Sequence, residues 1–178
     1  MKILIAIIFL FTGTPLWADK QPNILFFLVD DMGVGDTSVP FLYKDGEPQK
    51  ITLNELYRTP NMAKLAESGR IFTNAYSYSV CSPTRISLMT GQAAPRHRVT
   101  TWTHPKQSSI DTGLVKTGGI KSPADWRITG LDRSLPLLPR LIKKAGYRTL
   151  FAGKAHFGPD DTPSGDPTNL GFDINIAG

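Results

Sequence analysis

Asn23-Ile24-Leu25-Phe26-Phe27-Leu28-Val29 is an apolar run of strand length that stops at two adjacent acids, Asp30 and Asp31. A strand with one wet face alternates apolar and polar residues. An unbroken run suits a strand covered on both faces, as in a parallel sheet with helices above and below. This feature sets the expected fold class: α/β, with a mostly parallel sheet flanked by helices. It also puts two carboxylates at the carboxyl end of a buried strand, where open α/β sheets gather their ligands. The pair repel each other unless a cation or a solvated turn relieves them, and Gly33 and Gly35 lie close enough to supply the turn.

The rest of the chain extends the same alternation. Thr59-Pro60 through Gly69 has an N-cap residue, a proline at the first helical position and a glycine terminator, with Met62, Leu65 and Ala66 on one face of a scaffold helix. Arg70 to Tyr76 reads as a strand. Ser79-Val80-Cys81-Ser82-Pro83 leads into a helix through Met89 that Gly91 closes, which leaves Cys81 at or just before a helix N-terminus, where free amides favour an anion. Residues 94–133 show no sustained period and read as a long functional loop carrying Trp102, His104 and Trp126. A helix from Leu137 to Ala145, with Pro139 in its first turn and Gly146 at its end, precedes a strand, Tyr147 to Ala152, which delivers Gly153-Lys154-Ala155-His156-Phe157-Gly158.

Composition narrows the function classes. At 178 residues, 40% hydrophobic and 20% charged, with 16 Gly and 14 Pro, the chain suits one loop-rich globular domain or part of a larger one. The net charge of +5 is scattered apart from short groups such as Arg96-His97-Arg98 and Lys143-Lys144, so no nucleic-acid partner is expected. Cys81 is the only cysteine and cannot form an internal disulfide; it is a filler, a reactive thiol, a ligand or a modified residue. Met1-Lys2, the apolar run Ile3 to Phe11 and the stretch to Ala18 have the order of a secretory signal peptide, residues 1–18. The run falls short of the roughly 20 residues a spanning helix needs. Export to the periplasm or outside the cell is expected, with no stable membrane span.

Cys81-Ser82-Pro83-Thr84-Arg85, continuing into Leu88-Met89-Thr90-Gly91, matches the CxPxR signature, and the chain resembles the type I, formylglycine-dependent sulfatases of the alkaline-phosphatase-like fold. The resemblance extends over Pro22 to Asp31, Thr59 to Tyr76 and Ala145 to Gly158, in the family's order. Chance supplies CxPxR alone, but not all of these blocks in sequence.

The resemblance implies a sulfuric ester hydrolase. Cys81 is then oxidised by a formylglycine-generating or sulfatase-maturating enzyme to formylglycine, whose hydrate attacks sulfur, expels the alcohol and later releases sulfate as the aldehyde re-forms. Asp30 and Asp31 match calcium ligands, with residue 81 beside the same Ca²⁺. Arg85 matches the arginine that holds the formylglycine hydrate. Lys154 matches a sulfate-binding lysine and His156 the base for sulfate release; on an extended segment, residues two apart point the same way. The implied substrate is a sulfated small molecule or polysaccharide. Trp102, His104 and Trp126 suit a carbohydrate subsite or loop packing, and His97 has no assigned role.

Residues 19–178 are expected to be the N-terminal, apparently truncated portion of a sulfatase catalytic domain, because sulfatases continue further and supply a second metal-ligand pair, another histidine and another lysine. Activity of this chain alone is therefore doubtful. The rival classes are a phosphomonoester or phosphonate hydrolase of the same fold, a non-catalytic polysaccharide-binding module, and a thiol enzyme using unmodified Cys81.

Overall fold

A computed structural model describes residues 21–103 and 129–178. The expected signal segment, His104 and Trp126 lie outside the described residues. The first regular element is a hairpin, β1 (Leu42–Lys44) and β2 (Glu47–Gln49), paired antiparallel with Lys44 opposite Glu47. Its two-residue turn, Asp45-Gly46, has φ of 52° and 86°, the doubly left-handed conformation that matches strand twist and that Asp-Gly adopts readily. Helix α1 (Thr52–Leu56) follows. Asn54 is buried on it, bonding back to the amide of Ile51 at 3.0 Å and forward to the carbonyl of Thr37 at 2.8 Å.

Helix α2 (Pro60–Ser68) starts at Pro60 as expected, but none of its residues is fully buried and Leu65 is exposed. Helix α3 (Cys81–Thr90) ends on Gly91 in the left-handed conformation, with φ 65°. A single helical turn, α4 (Ala94–His97), lies inside the stretch expected to be irregular, and Ala94, His97, Val99 and Leu131 of that stretch are buried. Helix α5 (Leu138–Lys144) has Pro139 in its first turn and is followed by β3 (Leu150–Ala152). A short 3₁₀ turn at Pro167–Leu170 leads to β4 (Ile174–Ile176), which pairs parallel with β3, Leu150 opposite Ile174.

The core gathers Ile86, Met89, Val99, Leu131, Leu137, Ala155, Phe157 and Leu170. Phe151 closes it with tilted ring contacts to Phe157 and Phe172, centroids 5.5 and 5.3 Å apart. Gly158 is required here: a Cβ would sit 2.0 Å from Ser164 Oγ. The core holds α3, α5 and the β3 loop in one unit.

Two expected strands do not form. Residues 23–29 carry no regular secondary structure, and instead of being covered on both faces they are exposed, Leu25 at 82% and Phe27 at 79%. Residues 70–76 likewise carry no strand, and Phe72 and Tyr76 are exposed. A strand exists through its neighbours: β3 pairs with β4, and among the described residues no ladder reaches 23–29. The run nevertheless lies beside β3. Tyr147 Oη donates to the Pro22 carbonyl at 3.0 Å at one end, and Lys154 Nζ donates to Asp30 at the other, so the two segments run in the same direction. Among the described residues no helix is long and apolar enough to cross a membrane.

Candidate active site

Cys81 is the first residue of α3, and Val80 before it is extended, so the thiol belongs to a first turn whose amides have no helical partners. Lys154, just past β3, reaches it with Nζ 3.2 Å from Sγ. The same ammonium donates to one oxygen of Asp30, while Arg85 Nη2 donates to the other at 3.0 Å. Arg85 is buried on α3, and its Nη1 donates to the Lys154 carbonyl at 2.5 Å, so one guanidinium joins the helix, the β3 loop and the acidic turn.

The charges tune one another. Hydrogen bonds from Lys154 and then Arg85 hold the Asp30 carboxyl below the usual carboxylate range, and Asp30, then Cys81, push the Lys154 ammonium up. Both ions are exposed, so these shifts describe a charge state set by geometry rather than a large store of stability.

Asp31 adopts φ 55°, a left-handed conformation unusual for a residue other than glycine. Ligand atoms of Asp30, Asp31 and Cys81 lie within 4.8 Å of one another. Ca²⁺ ligands at 2.3–2.6 Å from the ion stand at most about 5 Å apart across it, so this spacing and the two hard carboxylates fit such a cation. An open groove of about 450 Å³ runs beside the cluster, lined by Val29, Asp30, Asp31, Tyr78, Cys81 and Arg85.

His156 stands differently from the sequence expectation. It has φ 51°, which breaks the extended alternation that would turn it and Lys154 the same way. Lys154 is exposed and reaches Cys81, whereas the His156 ring is half-buried and its buried Nδ1 has no hydrogen-bond partner. Burial, the largest cause, together with the charges of Lys154 and Arg85, pushes the ring below the ordinary histidine value, which favours its neutral form. The structure thus bonds Asp30, Arg85, Lys154 and Cys81 together with Asp31 close by, and gives His156 no hydrogen bond to any of them. Trp102 is exposed next to Thr103.

Sequence reasoning missed Ser82, Ser87 and Thr103. Thr103 N–H donates to Ser82 Oγ at 3.2 Å, and Ser87 Oγ lies 2.9 Å from His97 Nε2. Small hydroxyls on a helix carry no signal until their partners are placed.

A thiol at a helix N-terminus, with a lysine from the loop after β3, a buried arginine and two carboxylates around it, makes an α/β site of mixed charge whose two cations suit an anionic ligand. The sulfatase family model matches residues 22–178, and the chain belongs to that family. Its fold is accordingly of the α/β, alkaline-phosphatase-like type. It is 37% identical over 158 residues to N-acetylgalactosamine-6-sulfatase of Homo sapiens, covering 88% of this chain and 25% of that protein. It is 30% identical over 159 residues to steryl-sulfatase of Homo sapiens, covering 89% and 23%. The crystal structure of Ps i-CgsB, also determined in complex with k-i-k-neocarrahexaose, matches with a TM-score of 0.54 and 26% identity over 84% of this chain and 27% of that one. The chain thus spans about a quarter of the length of the curated relatives it matches.

Proposed function

We propose that the protein acts as a sulfuric ester hydrolase, releasing inorganic sulfate from a sulfated carbohydrate. The observation that carries this reading is the Lys154 ammonium held between Asp30 and Cys81 at the start of α3, a cation placed where a transferring sulfate needs one. The oligosaccharide in the Ps i-CgsB complex and the hexosamine sulfate in the name of the Homo sapiens relative support a carbohydrate substrate.

In this reading Cys81 is converted by a maturation enzyme to formylglycine, whose hydrate supplies the nucleophile and a second hydroxyl for sulfate release. Asp30, Asp31 and residue 81 hold Ca²⁺, which neutralises sulfate charge. Arg85 fixes the acidic turn against α3 and offsets its charge. Lys154 binds a sulfate oxygen, which requires its ammonium to swing partly off Asp30. His156, whose neutral form burial favours, is the base that takes a proton at sulfate release. Residues 1–18 serve as a signal peptide, and residues 19–178 form the N-terminal portion of the catalytic domain of a periplasmic or extracellular enzyme.

The test is coexpression with a formylglycine-generating enzyme. The peptide containing Cys81 should lose about 18 Da as the thiol becomes an aldehyde. An intact cysteine, in a host that modifies another sulfatase, counts against the reading. In the full-length protein, Asp30→Ala or Asp31→Ala should abolish hydrolysis of a sulfate ester while the fold persists. Faster turnover of the matching phosphate ester would instead place the protein with the phosphomonoester hydrolases of this fold.

A further inference from the structure

Both oxygens of the Asp30 carboxylate are held by cations of the chain itself: Arg85 Nη2 donates to Oδ1 at 3.0 Å, and Lys154 Nζ donates to Oδ2. The two donors differ in how freely they leave. The Arg85 side chain is 7% exposed, and its Nη1 is tied to the Lys154 carbonyl at 2.5 Å. The Lys154 side chain is 44% exposed and carries its ammonium on a flexible four-carbon stem. Lys154 is thus the movable partner of Asp30, and Arg85 the fixed one.

The Lys154 ammonium also lies within the cluster of ligand atoms. Asp30, Asp31 and Cys81 offer atoms within 4.8 Å of one another, and Nζ touches two of the three residues, bonding Asp30 and standing 3.2 Å from Cys81 Sγ. A divalent cation held by the same three residues would stand only a few ångströms from the ammonium, and like charges at that separation repel strongly. The ionised groups set the order of events as well. Asp30 and Asp31 balance Arg85 and Lys154, so an added divalent cation leaves a surplus of two positive charges, which a sulfate dianion cancels.

We propose that Lys154 and a divalent cation compete for this cluster, so that the ammonium leaves Asp30, and becomes available to a sulfate oxygen, only when the cation binds. This deepens the role given to Lys154 under the sulfatase reading, and it rests on Asp30 and Asp31 as cation ligands. Lys154 holds the acidic turn against α3 until the cation takes over that task, and binding of cation and oxyanion is coupled through one side chain.

The test uses the 178-residue chain, with Ca²⁺ and inorganic sulfate as probes, and needs no turnover. An NMR titration of the amides of residues 30–32 reads Ca²⁺ affinity. The ¹³Cε signal of Lys154 in lysine-labelled protein, assigned by its loss in Lys154→Met, reads the side chain. Lys154→Met removes the competitor while keeping an exposed stem, so it should tighten Ca²⁺ binding about fivefold, the worth of an exposed ion pair. Lys144→Met removes the same charge from α5 outside the groove and should leave the affinity near its wild-type value. In the wild type the Lys154 signal should move as Ca²⁺ saturates and again when sulfate follows, whereas sulfate alone should leave it in place.

A Lys154→Met variant that binds Ca²⁺ no better than the wild type overturns the proposal, as does a Lys154 signal that ignores Ca²⁺ or follows sulfate without it. Asp31→Asn separates the proposal from the reading beneath it. If this variant binds Ca²⁺ as the wild type does, the cation is held elsewhere and the ligand assignment fails. If it loses Ca²⁺ while Lys154→Met shows no gain, the ligands stand and only the competition falls. Conversion of Cys81 to formylglycine and hydrolysis of a sulfate ester enter neither readout.

Discussion

The two arms of the site are held by different forces. Cys81 and Arg85 ride on α3, whose Ile86 and Met89 are buried in the core. Asp30 and Asp31 sit at the end of a run whose apolar side chains face outward, held by Arg85, Lys154 and, at its start, Tyr147. Packing fixes the nucleophile arm, while point contacts fix the carboxylate arm. The carboxylate arm therefore moves first when charge is perturbed, and the nucleophile arm fails only with the whole core.

The largest effect should come from Ile86→Ala. Removing a fully buried side chain beneath α3 should cost about 2–5 kcal/mol in urea denaturation, whereas Phe26→Ala in the exposed run should stay within about 0.5 kcal/mol. Equal losses would dissolve the contrast.

Next, Arg85→Ala should cost about 1–3 kcal/mol, because the lost guanidinium leaves the Lys154 carbonyl and an Asp30 oxygen without their donor. Hydrogen exchange should quicken at residues 30–32 more than within α3; uniform quickening would show that Arg85 serves the core instead.

The third prediction concerns acid. Asp173 accepts from Lys143 on α5 at 2.5 Å and from the Thr149 amide at 2.8 Å, and these bonds, Lys143 first, lower its carboxyl to about 2. A depressed carboxyl contributes stability that is complete above the unfolded value of 3.8 and fades as pH falls toward 2. Asp173→Asn should flatten the stability profile between about pH 5 and 2 while changing the alkylation of Cys81 little. An unchanged acid limb would remove Asp173 from the account.

The smallest effect is Tyr147→Phe, which frees the Pro22 carbonyl. It should cost less than about 1 kcal/mol and quicken exchange only near residues 22–25. No local change would mean that the run is held from its Asp30 end alone.

Much of this was legible in the sequence because it is local. Pro60, Pro83, Pro139, Gly91 and Gly146 mark helix ends through backbone limits that no tertiary contact overrides. The CxPxR block carried Cys81 and Arg85 together because both lie on one helix. Neither the burial nor the pairing expected of residues 23–29 forms, since both depend on distant partners that local hydrophobicity does not place. The Asp45-Gly46 turn carries a turn dipeptide, but its flanks lack the alternating apolar residues that mark a hairpin. The left-handed turn at His156, and hence its departure from Lys154, has no marker in the local sequence, since neither glycine nor asparagine stands there.

The left-handed Asp31 carries a consequence for which amino acids this corner tolerates. Consecutive residues of a strand point to opposite faces, so two adjacent acids can meet one ion only if the backbone leaves the strand between them. Asparagine and glycine enter that conformation readily, while valine and isoleucine do so only under strain. The substitution Asp31→Asn would keep the corner and lose the charge, whereas Asp31→Val would lose the corner itself. Comparing the two separates what the carboxylate does by its charge from what the residue does by its shape.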